Sequence, residues 1–292
     1  MASIYKTFTS NDIATVRDML HEAIPITGSI VSGTYGDNNI KTYSHDMFES
    51  VFDYPYLSSS ANHIFDLTAG FSSTSGLSAS ATAASLDPSK KINIYNEMAQ
   101  ILVGFDESGQ VRKFDRDGDL TGGNKINEAF IVNFARLLTK DEIKKQSFTI
   151  QMLTGGVVSA PSGALTIQDY GAQTSYKTNS PAGEYAVLYT SSATVNADSG
   201  VGLIYYQAGI AVLTSSIFDG AATNYIGPHG ANSATVADNK NNVSALLISG
   251  SISGSSDALR NRLYNISFNN TVEINSTIYF CRANNNEFNY SS

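Results

Sequence analysis

Eight short apolar runs, rich in β-branched and aromatic residues and closed by Gly, Asn, Ser or Asp, commit this chain to a fold built on sheets. They are "SIVSGTY" (29–35), "AFIVNFARLL" (129–138), "SFTIQML" (147–153), "ALTIQDY" (164–170), "EYAVLYTS" (184–191), "VGLIYYQAGIAVLTSSIF" (201–218), "NNVSALLISGSIS" (241–253) and "LYNISFNNTVEINSTIYFCRA" (263–283). In the 201–218 run, Ala208-Gly209 marks either a tight hairpin or a glycine kink in one long strand. The "NNT" at 269–271 reads as a hairpin break.

Four segments read as helices. "TSNDIATVRDMLHEAI" follows the capping pattern Thr9-x-x-Asp12, carries Ile13, Val16, Leu20 and Ile24 on one helical face, and stops before Pro25. "DPSKKINIYNEMAQILVG" has Asp87 as N-cap, an Ile92–Tyr95–Ala99–Leu102 stripe and Gly104 as its stop. "TKDEIKKQ" opens on a Thr139–Glu142 capping box, and "SSDALRNRLYNI" starts from Ser256 or Asp257. The expected fold class is therefore α+β and β-rich: mostly antiparallel sheets, sandwich-like, with about four helices, three of them in the N-terminal half. A soft boundary near "TGGVVSAPSG" divides an α+β part, 1–153, from a β-rich part, 154–292, within what is either one domain or two. The Ser/Ala/Gly-rich stretch 70–87 reads as an exposed loop.

Charge narrows the classes of partner. The chain has 292 residues and a net charge of -8, and its 18 Lys and Arg are scattered, so binding of nucleic acid phosphates is not expected. The pairs Lys90-Lys91 and Lys144-Lys145 read as solvated faces. No apolar run approaches a membrane span and "MASIYKTFTS" lacks the pattern of a secretory signal, so no membrane partner and no export are expected. The single cysteine, Cys281 in "TIYFCRA", precludes an intrachain disulfide and reads as a buried strand thiol.

The densest chemistry lies in "KFDRDGDLTGGNKIN", with Asp115, Asp117 and Asp119 at alternate positions. Calcium takes six to eight hard oxygen ligands, and the first three positions of an EF-hand loop fit. Position six is Leu120 rather than Gly, and position twelve is Ile126 rather than Glu. Two readings stay open, an acidic turn and a calcium site at Asp115, Asp117 and Asp119; no other cofactor is expected. The four histidines, 21, 45, 63 and 229, show no metal-ligand spacing. His45 or His63 with Asp46 or Asp66 is the one acid–base pairing the sequence offers, outweighed by an ordinary hydrogen-bonded role. There is no phosphate loop and no nucleophile elbow, so no enzymatic activity is expected and no catalytic residues are assigned.

Long stretches, among them "TFTSNDIATVRDMLHEAIPITGSIVSGTYG", "FDYPYLSSSANHIFDLT", "KKINIYNEMAQILVG", "NSPAGEYAVLY", "YYQAGIAVLT" and "INSTIYFCRANNNEFNYSS", resemble a family of virion structural proteins from contractile-tailed marine phages of the cyanophage and pelagiphage type. The resemblance spans nearly the whole chain. It implies a protein made in the bacterial cytoplasm that ends in the virion, in the tail, baseplate or neck, as a homo-oligomer contacting itself and other virion proteins. An exposed fibre, decoration or glycan-binding module is the alternative. The ends are the expected interface: Ile4, Tyr5 and Phe8 in "MASIYKTFTS", and Phe288 and Tyr290 in "EFNYSS", are apolar side chains outside any capped element. The polar finish "RANNNEFNYSS" after a strong strand reads as a chain that continues further.

Overall fold

The computed structural model describes residues 7–27, 37–80, 86–157, 160–192, 195, 198–218, 248, 251–260 and 262–281. Two antiparallel sheets make up most of it. The larger contains β2 (Ile40–Thr42), β3 (Glu49–Phe52), β4 (His63–Phe71), β5 (Glu128–Phe134), β9 (Tyr185–Leu188), β10 (Gly202–Tyr205) and β11 (Ile210–Thr214), in the order β2-β3-β4-β5-β11-β10-β9. The smaller contains β1 (Ile13–Thr27), β12 (Leu263–Tyr279), β7 (Thr149–Val157) and β8 (Ala160–Gln168) in that spatial order, with the short β6 (Glu142–Ile143) also on β12. Among the described residues four α-helices accompany them: α1 (Leu86–Leu102), α2 (Arg136–Thr139), α3 (Ala172–Ser175) and α4 (Ile252–Arg260). The β-rich α+β class expected from the sequence is the class observed.

Strand periodicity sets the layering. Phe130, Val132 and Phe134 of β5 face the smaller sheet, while Ala129 and Ile131 face α1. Ala211 and Leu213 against Val212, and Ile204 against Leu203 and Tyr205, divide in the same way. These strands are covered on both faces, which is why they read as continuous apolar runs rather than alternating ones. Between the sheets, the Phe134 ring meets those of Phe65, Phe148 and Phe268 at centroid distances of 6.3, 5.9 and 5.2 Å. On the other face, α1 lies so close to β4 that a Cβ at Gly70 would meet the Lys91 carbonyl oxygen at 2.7 Å and the Tyr95 nitrogen at 2.9 Å.

Several expectations need correction. The segment 9–24 is not a helix. The Thr9 amide and hydroxyl both donate to the Asp12 carboxylate, at 2.8 and 2.7 Å, but they cap only a single 3-10 turn, Ser10–Asp12. The chain then pairs with β12 in unbroken register from Ile13–Tyr279 to Thr27–Asn265, and that ladder outweighs a marginal helical preference. The Thr139–Glu142 box does not start a helix either. Thr139 ends α2, and Ile143 is drawn into the core on a two-residue strand. Among the described residues the N-terminal half therefore holds two α-helices, α1 and α2, instead of three.

The "NNT" segment is not a turn. Asn270 continues β12, its amide donating to the Leu138 carbonyl at 2.9 Å and its side-chain oxygen accepting the Glu22 amide at 3.2 Å. The last expected helix begins earlier, at Ile252, with the Ser251 hydroxyl capping the Gly254 amide at 3.0 Å. Asp87 is the second residue of α1. In the stretch 70–87, Gly70 and Phe71 belong to β4, and Ser72 and Ser75 are buried. Lys91 is buried as well, bonded to the Ile248 carbonyl and, at 2.9 Å, to the Ser255 hydroxyl. Lys145 pairs with Glu184 at 2.5 Å and sits over the Tyr176 ring. The alternatives at 208–209 resolve as a tight hairpin, with Gly209 at φ 68 between β10 and β11. Residue 154 falls within β7, and each sheet draws strands from both sides of it. The expected strand 29–35, most of 241–253, and His229 lie outside the described residues.

Candidate functional site

β1 and β12 form a long two-stranded arm whose two faces differ. In an antiparallel pair, residues opposite one another share a face. One face carries Arg17, Met19, Glu273, Asn275 and Thr277, with Ile13 and Tyr279 at its tip and Arg17 ion-paired to Glu273. The other carries Val16, Leu20, Ile274, Ile278 and, just past the strand, Phe280, with Asp18 opposite Ile274 and Ser276 opposite Val16. On β12 this second face continues that of Ile266 and Phe268, which are buried in the intersheet core. The apolar stripe thus starts in the core and runs out into solvent. Val16 is 41% exposed, Leu20 57%, Ile274 43%, Ile278 48% and Phe280 58%.

The expected interface residues fall at this arm or beyond the described residues. Phe8 is half-exposed and its ring lies 5.5 Å from that of Tyr279, so the N-terminal segment and the distal end of β12 meet at the tip. Ile4, Tyr5, Phe288 and Tyr290 lie outside the described residues. Cys281, expected to be buried, is exposed, because β12 ends at Tyr279 beyond the last layer of core. Sequence reasoning missed Val16, Leu20, Ile274 and Ile278. Their signal was the even-numbered alternation on both strands, obscured in 13–24 by its simultaneous fit to a helix.

The acidic loop is a second constellation. Asp115, Asp117 and Asp119 each bring a carboxylate oxygen within 4.8 Å of the others. The loop is pinched at its base, where the Arg116 amide donates to the Asn124 carbonyl at 3.1 Å and the Ile126 amide to the Phe114 carbonyl at 2.9 Å. Gly118 and Gly123, at φ 74 and 66, allow the chain to curl around the carboxylates. Asp115 is fully buried: its Oδ2 accepts the Leu120 amide at 2.7 Å and pairs with Lys125 at 2.9 Å, whereas its Oδ1 is buried with no hydrogen-bond partner. Burial pushes the Asp115 carboxyl above its ordinary value in spite of Lys125. Asp198, far away in sequence, closes the loop by accepting the Asn124 backbone and side-chain amides at 3.0 and 2.7 Å. No sequence pattern pointed to it.

The histidine pairing is resolved in part. His63 Nε2 lies 2.7 Å from Asp66 Oδ1, and that hydrogen bond is the main cause raising the His63 pKa. The Ser50 hydroxyl donates to the same oxygen at 2.5 Å and lies 3.2 Å from the Tyr43 hydroxyl. In a nucleophilic relay the imidazole stands between hydroxyl and carboxylate. Here the carboxylate stands between the two, so His63 is not placed to deprotonate Ser50. His45 accepts the Met47 amide at 3.1 Å, and Asp46 accepts the Ser253 amide at 3.2 Å, so neither joins the His63 pair. His45 and Asp66 do line one cavity of about 430 Å³, together with Phe48, Ile94, Glu97 and Met98.

Known proteins add no further constraint. No family model matches the chain, and neither curated proteins nor solved structures give a significant match.

Proposed function

We propose that the protein is a structural component of a phage virion, in the tail, baseplate or neck, and that the β1–β12 arm is the element by which it joins its neighbours. The observation that carries the assembly reading is the continuity of the arm's apolar face with the intersheet core. Ile266 and Phe268 are covered by the protein's own sheet, and Ile274, Ile278 and Phe280 repeat that pattern where this cover ends. A contiguous exposed apolar stripe marks an interaction surface. A second copy of this chain is its first partner, since a homo-oligomer in a symmetric particle needs the fewest distinct surfaces. The virion assignment itself rests on the sequence resemblance.

Cys281 offers the test, because it is exposed, unique and one residue beyond Phe280. The chain is expected in purified particles, where maleimide labelling of Cys281 should be far slower than in the isolated chain. Absence from particles overturns the virion assignment. Equal labelling rates in particles and in the isolated chain overturn the role of the arm.

A further inference from the structure

We propose that the 115–125 loop, together with Asp198, binds a hard divalent cation of calcium size, a role independent of the assembly function. The carboxylate cluster alone would not carry this, since acidic turns are common on protein surfaces. The second observation is the orphaned Oδ1 of Asp115. A carboxylate oxygen buried without any partner is costly, and such groups are rare in folded proteins. Oδ2 of the same residue is already taken by the Leu120 amide and Lys125, so Oδ1 is the atom Asp115 has to offer a ligand.

Three further features fit a cation. Lys125 places its ammonium on both Asp115 Oδ2 and the Thr121 carbonyl, so a positive charge is already held by the oxygens of this loop. A Cβ at Gly123 would lie 3.3 Å from Asp117 Oδ2 and 3.5 Å from Asp198 Oδ2, so both carboxylates border the space this residue leaves without a side chain, Asp198 outside the tight cluster of the other three. The charges of Asp115, Asp117, Asp119 and Asp198 outnumber those of Arg116 and Lys125, the two cations of the loop, and leave it negative. Calcium accepts such a set, because it takes six to eight oxygens in flexible geometry and fills the remainder with main-chain carbonyls and water; magnesium demands a near-ideal octahedron.

Calcium added to the chelator-stripped full chain is expected to raise Tm by about 4 °C at a hundredfold excess over Kd. Asp117→Asn with Asp119→Asn should abolish the rise and leave the metal-free Tm nearly unchanged, since both positions keep an oxygen for their own loop amides. Terbium gives a second readout. The chain has no Trp, and the Tyr185 hydroxyl donates to the Gly118 carbonyl at 3.0 Å, so tyrosine-sensitised luminescence should appear and fall sharply in Tyr185→Phe. Asp198→Asn, at an exposed position, should weaken terbium binding and serves if the double variant folds poorly. A Tm insensitive to calcium up to about 10 mM, above the range of weak calcium modules, overturns the proposal. So does a calcium response retained in full by the double variant, or terbium binding unchanged in Asp198→Asn.

Discussion

Replacing Leu20 and Ile274 by Thr should dissociate the assembly and leave the protomer folded. Full burial of a Leu or Ile side chain is worth about 1.5–3 kcal/mol. These two are 57% and 43% exposed, so a neighbour covering the remainder gains about 1 kcal/mol from each. Val16, Ile278 and Phe280, similarly half-exposed, bring the stripe to about 5 kcal/mol per arm. Thr is β-branched, as Ile274 already is, so both positions keep a strand-favouring residue while most of the apolar surface is removed. The double variant therefore loses about 2 kcal/mol of association, roughly a thirtyfold rise in the dissociation constant. Its protomer Tm should stay nearly unchanged, because surface substitutions in an intact ladder cost little.

Sedimentation velocity across a concentration series measures the first quantity, and calorimetry of the dissociated protomer the second. Arg17→Gln with Glu273→Gln, on the opposite face, is the control. That ion pair is solvent-exposed and worth about 0–1 kcal/mol, so association should be unchanged. Equal weakening by both pairs would refute a face-specific contact. A double Thr variant that unfolds would show that the stripe belongs to the protomer's own core.

Glu49 is buried with both carboxylate oxygens unpartnered, and burial, followed by repulsion from Asp257, pushes its pKa from 4.5 to about 8. It binds its proton more tightly folded than unfolded, so stability should fall as pH rises from about 4.5 to about 8, by at most about 5 kcal/mol; Glu49→Gln should flatten that slope in denaturant titrations at several pH values. Gly70→Ala places a Cβ against backbone atoms of α1, which cannot rotate aside; a loss of about 1–3 kcal/mol is expected by chemical denaturation, and an unchanged midpoint would argue against the close helix–strand approach. Asp169 accepts the Gln146 and Phe148 amides and the Tyr206 hydroxyl, at 2.6, 3.1 and 2.8 Å. Asp169→Ala orphans all three donors and should cost about 3 kcal/mol or more, against about 1 kcal/mol for Tyr206→Phe.

The interior of the larger sheet was legible because it is buried on both faces. "AFIVNF", "EYAVLY" and "GLIYY" admit little but a strand buried on both faces, and α1 showed itself through a stripe that fits only the helical period. The arm was not legible, for a definite reason. Val16, Leu20 and Ile24 are spaced by four, which is two strand repeats and nearly one helical turn, so their pattern supports both structures equally. The decision came from β12, more than two hundred residues away in sequence, whose ladder a local reading cannot contain. On β12 itself the error was one of polarity. Asn269-Asn270 looks like a turn until Asn270 is seen to spend its side chain on the Leu138 carbonyl and the Glu22 amide. The aspartates of the acidic loop were plain in the sequence, but neither the orphaned Asp115 oxygen nor the arrival of Asp198 has any local signature.

The arm also constrains how a neighbour docks. Among the described residues β1 is the edge strand of its sheet, and an open edge invites a further strand through main-chain hydrogen bonds. Its sequence resists that mode: Arg17, Asp18 and Glu22 place charges along the edge, a common means of discouraging strand addition. On the apolar face Asp18 stands opposite Ile274, whereas Ile278 and Phe280 lie beyond it, with Ala14 opposite Ile278. Contact through the face buries side chains and leaves the edge amides to water, whereas contact through the edge would require those charges to be desolvated or paired. The two modes separate experimentally. Face docking protects Cys281 and depends on Leu20 and Ile274 but not on salt, while edge docking protects the β1 amides from hydrogen exchange and weakens as ionic strength screens pairs formed by Arg17, Asp18 and Glu22. The face mode is the one expected, and salt-sensitive association with newly protected β1 amides would refute it.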